Sequence, residues 1–283
     1  MNSILISTLE ENMNYISRIS FTQANKRVTD EFIQYFHKKY KNSYRKMEWN
    51  DGIAYIWITT NTSEYDEILK ELEENDIKVF EDKTIEFSKK DLDNAEYLEI
   101  NPKFEAINPY EEYEAFDEYK KGCGFFTKQI KDLMIRKKDL GKKDILKSYD
   151  EEIIVSLRLW EILKNEKLKG LEFRPVYTKG EIEPVAYQVI IGNQLPKLQS
   201  KTRMDIAINK PQFGFVSYTM ESYDFLYYSH DDFKNAKDFN ITTEYFGIGL
   251  YPRPLRIVSQ KVRQVLLKEK IKGIEFEPIY FEE

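Results

Sequence analysis

The amino-acid sequence predicts an α+β protein in three parts, and three observations predict it. A stretch of 24 residues is written twice, apolar residues alternate at strand spacing in some stretches and recur at helix spacing in others, and turn residues punctuate both. The two copies, residues 154–177 and 257–280, read IVSLRLWEILKNEKLKGLEFRPVY and IVSQKVRQVLLKEKIKGIEFEPIY, and 12 of their 24 positions are identical without a gap. A repeat of this kind implies a duplicated structural unit.

Residues 14–87 come first and have a regular rhythm. YISRISF reads as a strand, and residues 23–40 read as a helix with Val28, Phe32, Ile33 and Phe36 on one side. SYRKMEW and IAYIWIT are joined through Asn50-Asp51-Gly52, a strong hairpin signal. The next helix starts at about Ser63, with Ser63 and Asp66 spaced as a capping pair and Tyr65, Ile68, Leu69 and Leu72 as its apolar stripe. Asn75-Asp76 ends it, and IKVFEDKTIEF returns as strand. The order β-α-β-β-α-β predicts a ferredoxin-like N-terminal domain over residues 1–100, a fold that hosts many unrelated functions and so points to none.

Charge then separates along the chain. Residues 61–119 hold 20 acidic residues against 6 lysines, and residues 120–147 hold 10 basic residues against 3 aspartates. The steepest acidic run is Tyr110, Glu111, Glu112, Tyr113, Glu114, Ala115, Phe116, Asp117, Glu118, Tyr119. One reading makes these runs the solvated faces of neighbouring elements. The other makes the acidic, aromatic run a binding patch for a basic partner, because carboxylates steer encounter and tyrosines supply contact area. Gly122 and Gly124 suggest a turn, and residues 127–138 read as a helix with Ile130, Leu133 and Met134 inward.

The first copy of the repeat falls in a unit spanning residues 101–195, the second in a unit spanning 196–283. Each copy has the same grammar. Ile-Val ends a strand, and Ser156 or Ser259 can cap the helix that follows. Leu159, Ile162 and Leu163, or Val262, Val265 and Leu266, recur at helical spacing. Gly170 and Gly273 suit a left-handed turn after the helix, with Lys167, Lys169, Lys270 and Lys272 at its negative end. A strand with Phe173 or Phe276 on one face closes the unit, and Pro175 or Pro278 places it at or near a sheet edge. The first closing strand runs through a turn at 178–181 into VAYQVIIG, a hairpin. The polar run 193–201, with Pro196, is the best candidate boundary between the two units. MDIAI, FGFVSYTM and YDFLYYS then read as short strands. The chain is therefore expected to hold two tandem, pseudo-symmetric α+β repeat units after its N-terminal domain.

Composition narrows the function. Net charge is -6 with 33% charged residues, which argues against a general affinity for nucleic acid. The 20 Tyr and 18 Phe are too many for a disordered chain. No apolar run has membrane-span length, and MNSILISTLEENMNYISR lacks the features of a secretion signal, so a cytoplasmic location is expected. Cys123 is the only cysteine, which excludes a disulfide framework or multi-cysteine zinc site; beside two phenylalanines it reads as a small buried hydrophobe. His37 and His230 offer no ligand spacing, and His230 beside Asp231 and Asp232 reads as a loop histidine. There is no Walker loop, dinucleotide fingerprint or nucleophile elbow. Glu118-Tyr-Lys120 matches a nuclease spacing that so charged a chain produces by chance. No catalytic residue, metal or cofactor is expected.

Ile-Val-Ser, a helix, then Lys-Gly-Ile-Glu-Phe-x-Pro at residues 272–278, echoed at 169–175, resembles the C-terminal signature of immunity proteins from bacterial polymorphic toxin systems. The double-CxxCG motif proteins are among these families; their paired CxxCG motifs are missing here, so no zinc is implied. The resemblance covers about 30 residues in each half and implies a cytoplasmic, non-enzymatic protein that neutralises a cognate toxin by binding it. Two rivals are a sensor or adaptor of a phage-defence system and an enzyme acting on nucleic acid or nucleotides.

Overall fold

A computed structural model describes residues 14–22, 28–105, 115–118, 127–148, 151–221, 224–248 and 252–282. The fold is mixed α+β, with several sheet and helix units. Its residues fall into two compact units, Met1–Ser88 with Glu221–Tyr223, and Lys89–Met220 with Asp224–Glu283.

The first unit runs β1 (Asn14–Thr22), α1 (Asp30–Tyr40), β2 (Lys46–Asn50), β3 (Ile53–Thr59), α2 (Ser63–Glu74) and β4 (Phe80–Glu86). Its sheet has the order β2-β3-β1-β4, antiparallel throughout, so each helix crosses over one intervening strand. Alternation along β1 and β3 sends Ile19, Phe21, Ala54, Ile56 and Ile58 to one face, where Phe36, Tyr65, Ile68 and Leu72 of the helices meet them. Asp51 and Gly52 both take positive φ, 49° and 75°, which suits the two-residue turn between twisted strands.

Two helix starts differ from the sequence expectation. α1 begins at Asp30 rather than residue 23, because Thr29 is extended and its hydroxyl accepts from the Phe32 amide at 3.1 Å; Val28 is buried but precedes the helix. At α2 the cap is Thr62, which accepts from the Tyr65 amide at 3.2 Å, while the Ser63 hydroxyl turns to Glu64. The threonine hydroxyl one residue upstream takes the capping role expected of Ser63.

The second unit opens with α3 (Lys89–Asn94), β5 (Tyr97–Pro102), β6 (Phe116–Glu118), β7 (Thr127–Gln129), β8 (Leu133–Met134), α4 (Lys137–Leu140) and β9 (Ile145–Lys147). The first copy supplies β10 (Ile153–Ser156), α5 (Leu157–Asn165) and β11 (Leu171–Tyr177), followed by β12 (Ala186–Ile191). Then come β13 (Asp205–Lys210), β14 (Phe215–Thr219), β15 (Tyr227–Ser229), β16 (Phe239–Ile241) and β17 (Tyr245–Phe246). The second copy gives β18 (Arg256–Ser259), α6 (Gln260–Lys268) and β19 (Ile274–Pro278), with β20 (Tyr280–Glu282) last.

The two copies sit in sheets of matching plan, β9-β10-β12-β11 (with β8 beyond) and β16-β18-β5-β19. In each, one strand runs antiparallel between the strands before and after the repeat's helix. For the first copy that strand is β12, which follows it. For the second it is β5, residues 97–102, from ahead of both copies. The register agrees position for position: Ile154 faces Gln188, which faces Arg174, and Ile257 faces Glu99, which faces Glu277. Just past each central strand the chain bridges to the other copy's outer strand, Gln194 to Ile241 and Glu105 to Lys147.

The helices close on one shared core. Leu159, Leu163 and Leu168 of the first copy meet their counterparts Val262, Leu266 and Ile271 of the second, with Val155 and Val258, Val189 and Ile100 beneath. Burying each such side chain stabilises the fold by roughly 1.5–3 kcal/mol. The run 193–201 belongs to this unit: Leu195 and Leu198 are buried, and the Leu195 amide donates to the Ile241 carbonyl at 2.9 Å.

Three local expectations are corrected. The helix expected over residues 127–138 is absent before Lys137: β7 and β8 lie there, Ile130 is exposed, and Val176 and Tyr177 pair with Leu133 and Met134. Sheet pairing overrides the helical spacing there. Ser259 stands at the N-cap of α6 without making a side-chain cap bond; its hydroxyl donates to Asp238 at 2.9 Å. The left-handed turn expected at Gly170 and Gly273 opens earlier, at Lys167 (φ 51°) and Lys270 (φ 57°). Gly170 and Gly273, also at positive φ, serve close approach: a Cβ would lie 2.2 Å from the Phe239 carbonyl oxygen and 2.1 Å from the Phe104 ring.

Candidate functional site

Helix α2 presents an acidic surface. Burying Tyr65, Ile68 and Leu72 turns Glu64, Asp66, Glu67, Glu73 and Glu74 outward, all exposed, with Lys70 the helix's one cation. Glu71 is spent differently: hydrogen bonds from Lys39, Tyr35 and Tyr40 gather on it, led by Lys39 at 2.6 Å, and hold its carboxyl below the usual range. Glu73 and Glu74 stand in the last turn, where the helix dipole disfavours anions, and no cation shares that turn. By contrast α1, α5 and α6 all end with basic residues.

On the sheet face away from the helices, Tyr55 and Trp57 lie 6.2 Å apart and Lys46 sits over the Trp57 ring at 5.0 Å. Arg45 grips Glu86 through two 2.7 Å hydrogen bonds, and Arg18 meets Asp82 at 3.0 Å.

A second site lies in the second unit, against the polar side of β12. A cleft of about 360 Å³ is lined there by Lys128, Arg174, Arg253 and Arg256, with Glu152 its one carboxylate. Gln188, buried in the central strand, donates from Nε2 to Glu152 at 3.2 Å, and its Oε1 has no hydrogen-bond partner. Burial pulls the Arg256 guanidinium down from its ordinary value against Glu152 and Glu151, and Arg256 also donates to the Glu151 carbonyl. Among the described residues, Lys128, Arg174 and Arg256 have no carboxylate within ion-pair distance. Ile190, Ile241 and Pro254 form an apolar wall.

At the matching place in the second copy the polar groups are acidic. Burial pushes the Glu99 carboxyl up to about 8, with Glu277 adding to it and Arg256 opposing. Glu277 is raised as well, by burial and then by Glu275.

Of the acidic run singled out in the sequence, Tyr110, Glu111, Glu112, Tyr113, Glu114 and Tyr119 lie outside the described residues, as does Cys123. Asp117 and Glu118 belong to β6, paired with Lys128 and Thr127 of β7. The repeat residues Ser156, Gly170, Phe173, Pro175, Ser259, Gly273, Phe276 and Pro278 fall at matching places in the two sheets. Their roles are structural: Phe173 and Phe276 pack on the shared core, and Pro278 ends edge strand β19. His37 is bonded to Tyr44, and the His230 ring stacks on Phe281 at 4.2 Å.

The cleft residues are not legible in the sequence because β7, β11, β12 and the stretch before β18 bring them together from across more than 120 positions. The one available signal is that Arg174 stands where its counterpart in the second copy is Glu277. Among the described residues no group of three or more His, Cys, Asp or Glu could hold a metal ion, and no helix is long and apolar enough to cross a membrane. No family model matches the chain, and no curated protein matches it.

Proposed function

We propose that the chain is a cytoplasmic, non-enzymatic immunity protein that binds a cognate bacterial toxin with a basic surface and neutralises it by occlusion. The carrying observation is the outer face of α2, which keeps exposed carboxylates in its last turn at a cost to helix stability. Lys70 pairs with Glu74 at 3.8 Å, which leaves Glu73 without a cation partner among the described residues. A group that breaks a local stability rule in this way marks a surface kept for another purpose. An acidic helix, followed later in the chain by the acidic run 110–119, steers a cationic partner, and the tyrosines of that run offer anchors. In this reading residues 14–86 are a ferredoxin-like plait, and the two copies form a pseudo-symmetric pair that acts as a scaffold.

The test is association with the purified product of the adjacent toxin gene, followed by stopped flow at several salt concentrations. Reversing Glu64, Glu67 and Glu74 to Lys, and separately Glu111, Glu112 and Glu114 to Lys, should slow association about tenfold and flatten its salt dependence. Unchanged rates in both variants would refute acidic steering, and failure to bind the toxin at all would refute the immunity reading.

A further inference from the structure

We propose that the cleft against β12 binds a nucleoside phosphate, with its phosphates on Lys128, Arg174, Arg253 and Arg256 and its base edge on Gln188. The inference does not rest on the immunity reading. Four cations converge on a space that holds one carboxylate, and that carboxylate already accepts from Gln188. Guanidinium groups present planar, paired donors that match phosphate oxygens, which makes arginine the preferred residue for such anions.

Gln188 narrows the ligand further. It is only 1% exposed, its Nε2 is committed to Glu152, and its Oε1 is a buried acceptor without a donor. An acceptor in that state is completed by an N–H group, which inorganic phosphate lacks and the amino or imino edge of a nucleobase has. Ile190, Ile241 and Pro254 supply an apolar wall for ring and sugar. The volume, about 360 Å³, falls at the small end of ligand cavities and so favours a mono- or diphosphate.

The other copy provides an internal contrast. Where the first copy has Gln188 opposite Arg174, the second has Glu99 opposite Glu277 in the same register. There the carboxyl groups of Glu99 and Glu277 replace Gln188 and Arg174, which leaves no cation at the Arg174 position to hold phosphate, so anion binding belongs to the first copy alone.

The experiment is isothermal titration of the full chain with ADP, GDP, CDP, UDP, pyrophosphate and sulfate. At least one nucleoside diphosphate should bind tenfold or more tightly than pyrophosphate, and sulfate more weakly than either. R174E, which installs the second copy's residue, should weaken that ligand at least tenfold, and K128A, at the rim, about threefold. Q188M should erase the preference for the nucleotide over pyrophosphate while leaving pyrophosphate binding in place. No binding of any probe at millimolar concentration overturns the proposal. So does binding that R174E and K128A, both checked for an unaltered circular dichroism spectrum, leave unchanged. Equal affinity for pyrophosphate and every nucleotide overturns the role of Gln188.

Discussion

Gln188 and Glu99 occupy one place in two copies of the same sheet, each central between the strands that flank a repeat helix. Gln188 lies between Ile154 and Arg174, and Glu99 between Ile257 and Glu277. The amide is neutral at any pH, whereas the carboxyl is held protonated up to about 8 by burial, with help from Glu277. Because the folded pKa is raised above the unfolded one, the folded chain binds the extra proton between them. Stability is thus complete below the unfolded value near 4.5 and declines as pH rises through about 8.

Glu99→Gln should therefore stabilise the chain more as pH rises. Melting temperatures of wild type and variant should be close at pH 5, separate up to about pH 8 and then level off, with a final difference of at least about 1 kcal/mol in stability. Glu277, which faces Glu99 across the strand pair and is also raised, should be tested in parallel. A constant difference across that range would mean that the Glu99 carboxyl is ionised at neutral pH.

Gly170→Ala and Gly273→Ala should differ although the residues are counterparts. Both glycines hold positive φ, 90° and 80°, a strain of about 1–3 kcal/mol for a residue with a Cβ. At Gly170 the new methyl meets the backbone carbonyl of Phe239, which is fixed in β16. At Gly273 it meets the ring of Phe104, which is partly exposed and can rotate away. Urea melts should show Gly170→Ala as the more damaging substitution; equal losses would mean that strain alone sets the cost.

Much of this architecture is legible in the sequence because its causes are local. The turn at Asp51-Gly52, the stripe Tyr65, Ile68 and Leu72, and the doubled Ile-Val-Ser helix starts are each fixed by neighbours within a few residues. What the sequence hides depends on distant pairing. Nothing near residues 97–102 says that they complete the second copy's sheet, more than 150 residues downstream. Ile130, Leu133 and Met134 have helical spacing, yet Leu133 is claimed by Val176 in a parallel bridge. The cationic cleft is hidden for the same reason, since Lys128, Arg174 and Arg256 are neighbours only after three separate strands have paired.

Thr62→Ala should destabilise the first unit by about 1 kcal/mol, and Ser63→Ala should leave it nearly unchanged. Thr62 accepts from the Tyr65 amide, an otherwise unpaired donor at the start of α2, while Ser63 binds only the Glu64 side chain. Chemical melts followed by helical circular dichroism decide between them. A larger loss at Ser63 would restore the capping pair expected from Ser63 and Asp66.

The last comparison uses the repeat against itself. Ser156 and Ser259 each donate a side-chain bond to the aspartate just ahead of the neighbouring strand, Asp144 at 2.8 Å and Asp238 at 2.9 Å. The backbone amide of each serine also donates to that aspartate's carbonyl. Only Ser156 goes further, accepting from the Leu159 amide at 3.1 Å and so capping α5. Ser156→Ala loses two bonds and Ser259→Ala one, so the first should cost about 1 kcal/mol more. Asp238 also accepts from the Lys169 amide at 2.8 Å and so fastens the second copy to the first, whereas Asp144 turns its other oxygen to exposed Arg158. Asp238→Ala should accordingly destabilise more than Asp144→Ala, because it removes a bond that ties the two copies together, whereas Asp144→Ala frees only a solvated guanidinium. Equilibrium unfolding of the four variants checks both orders, and a reversed serine order would show that the capping bond adds nothing to stability.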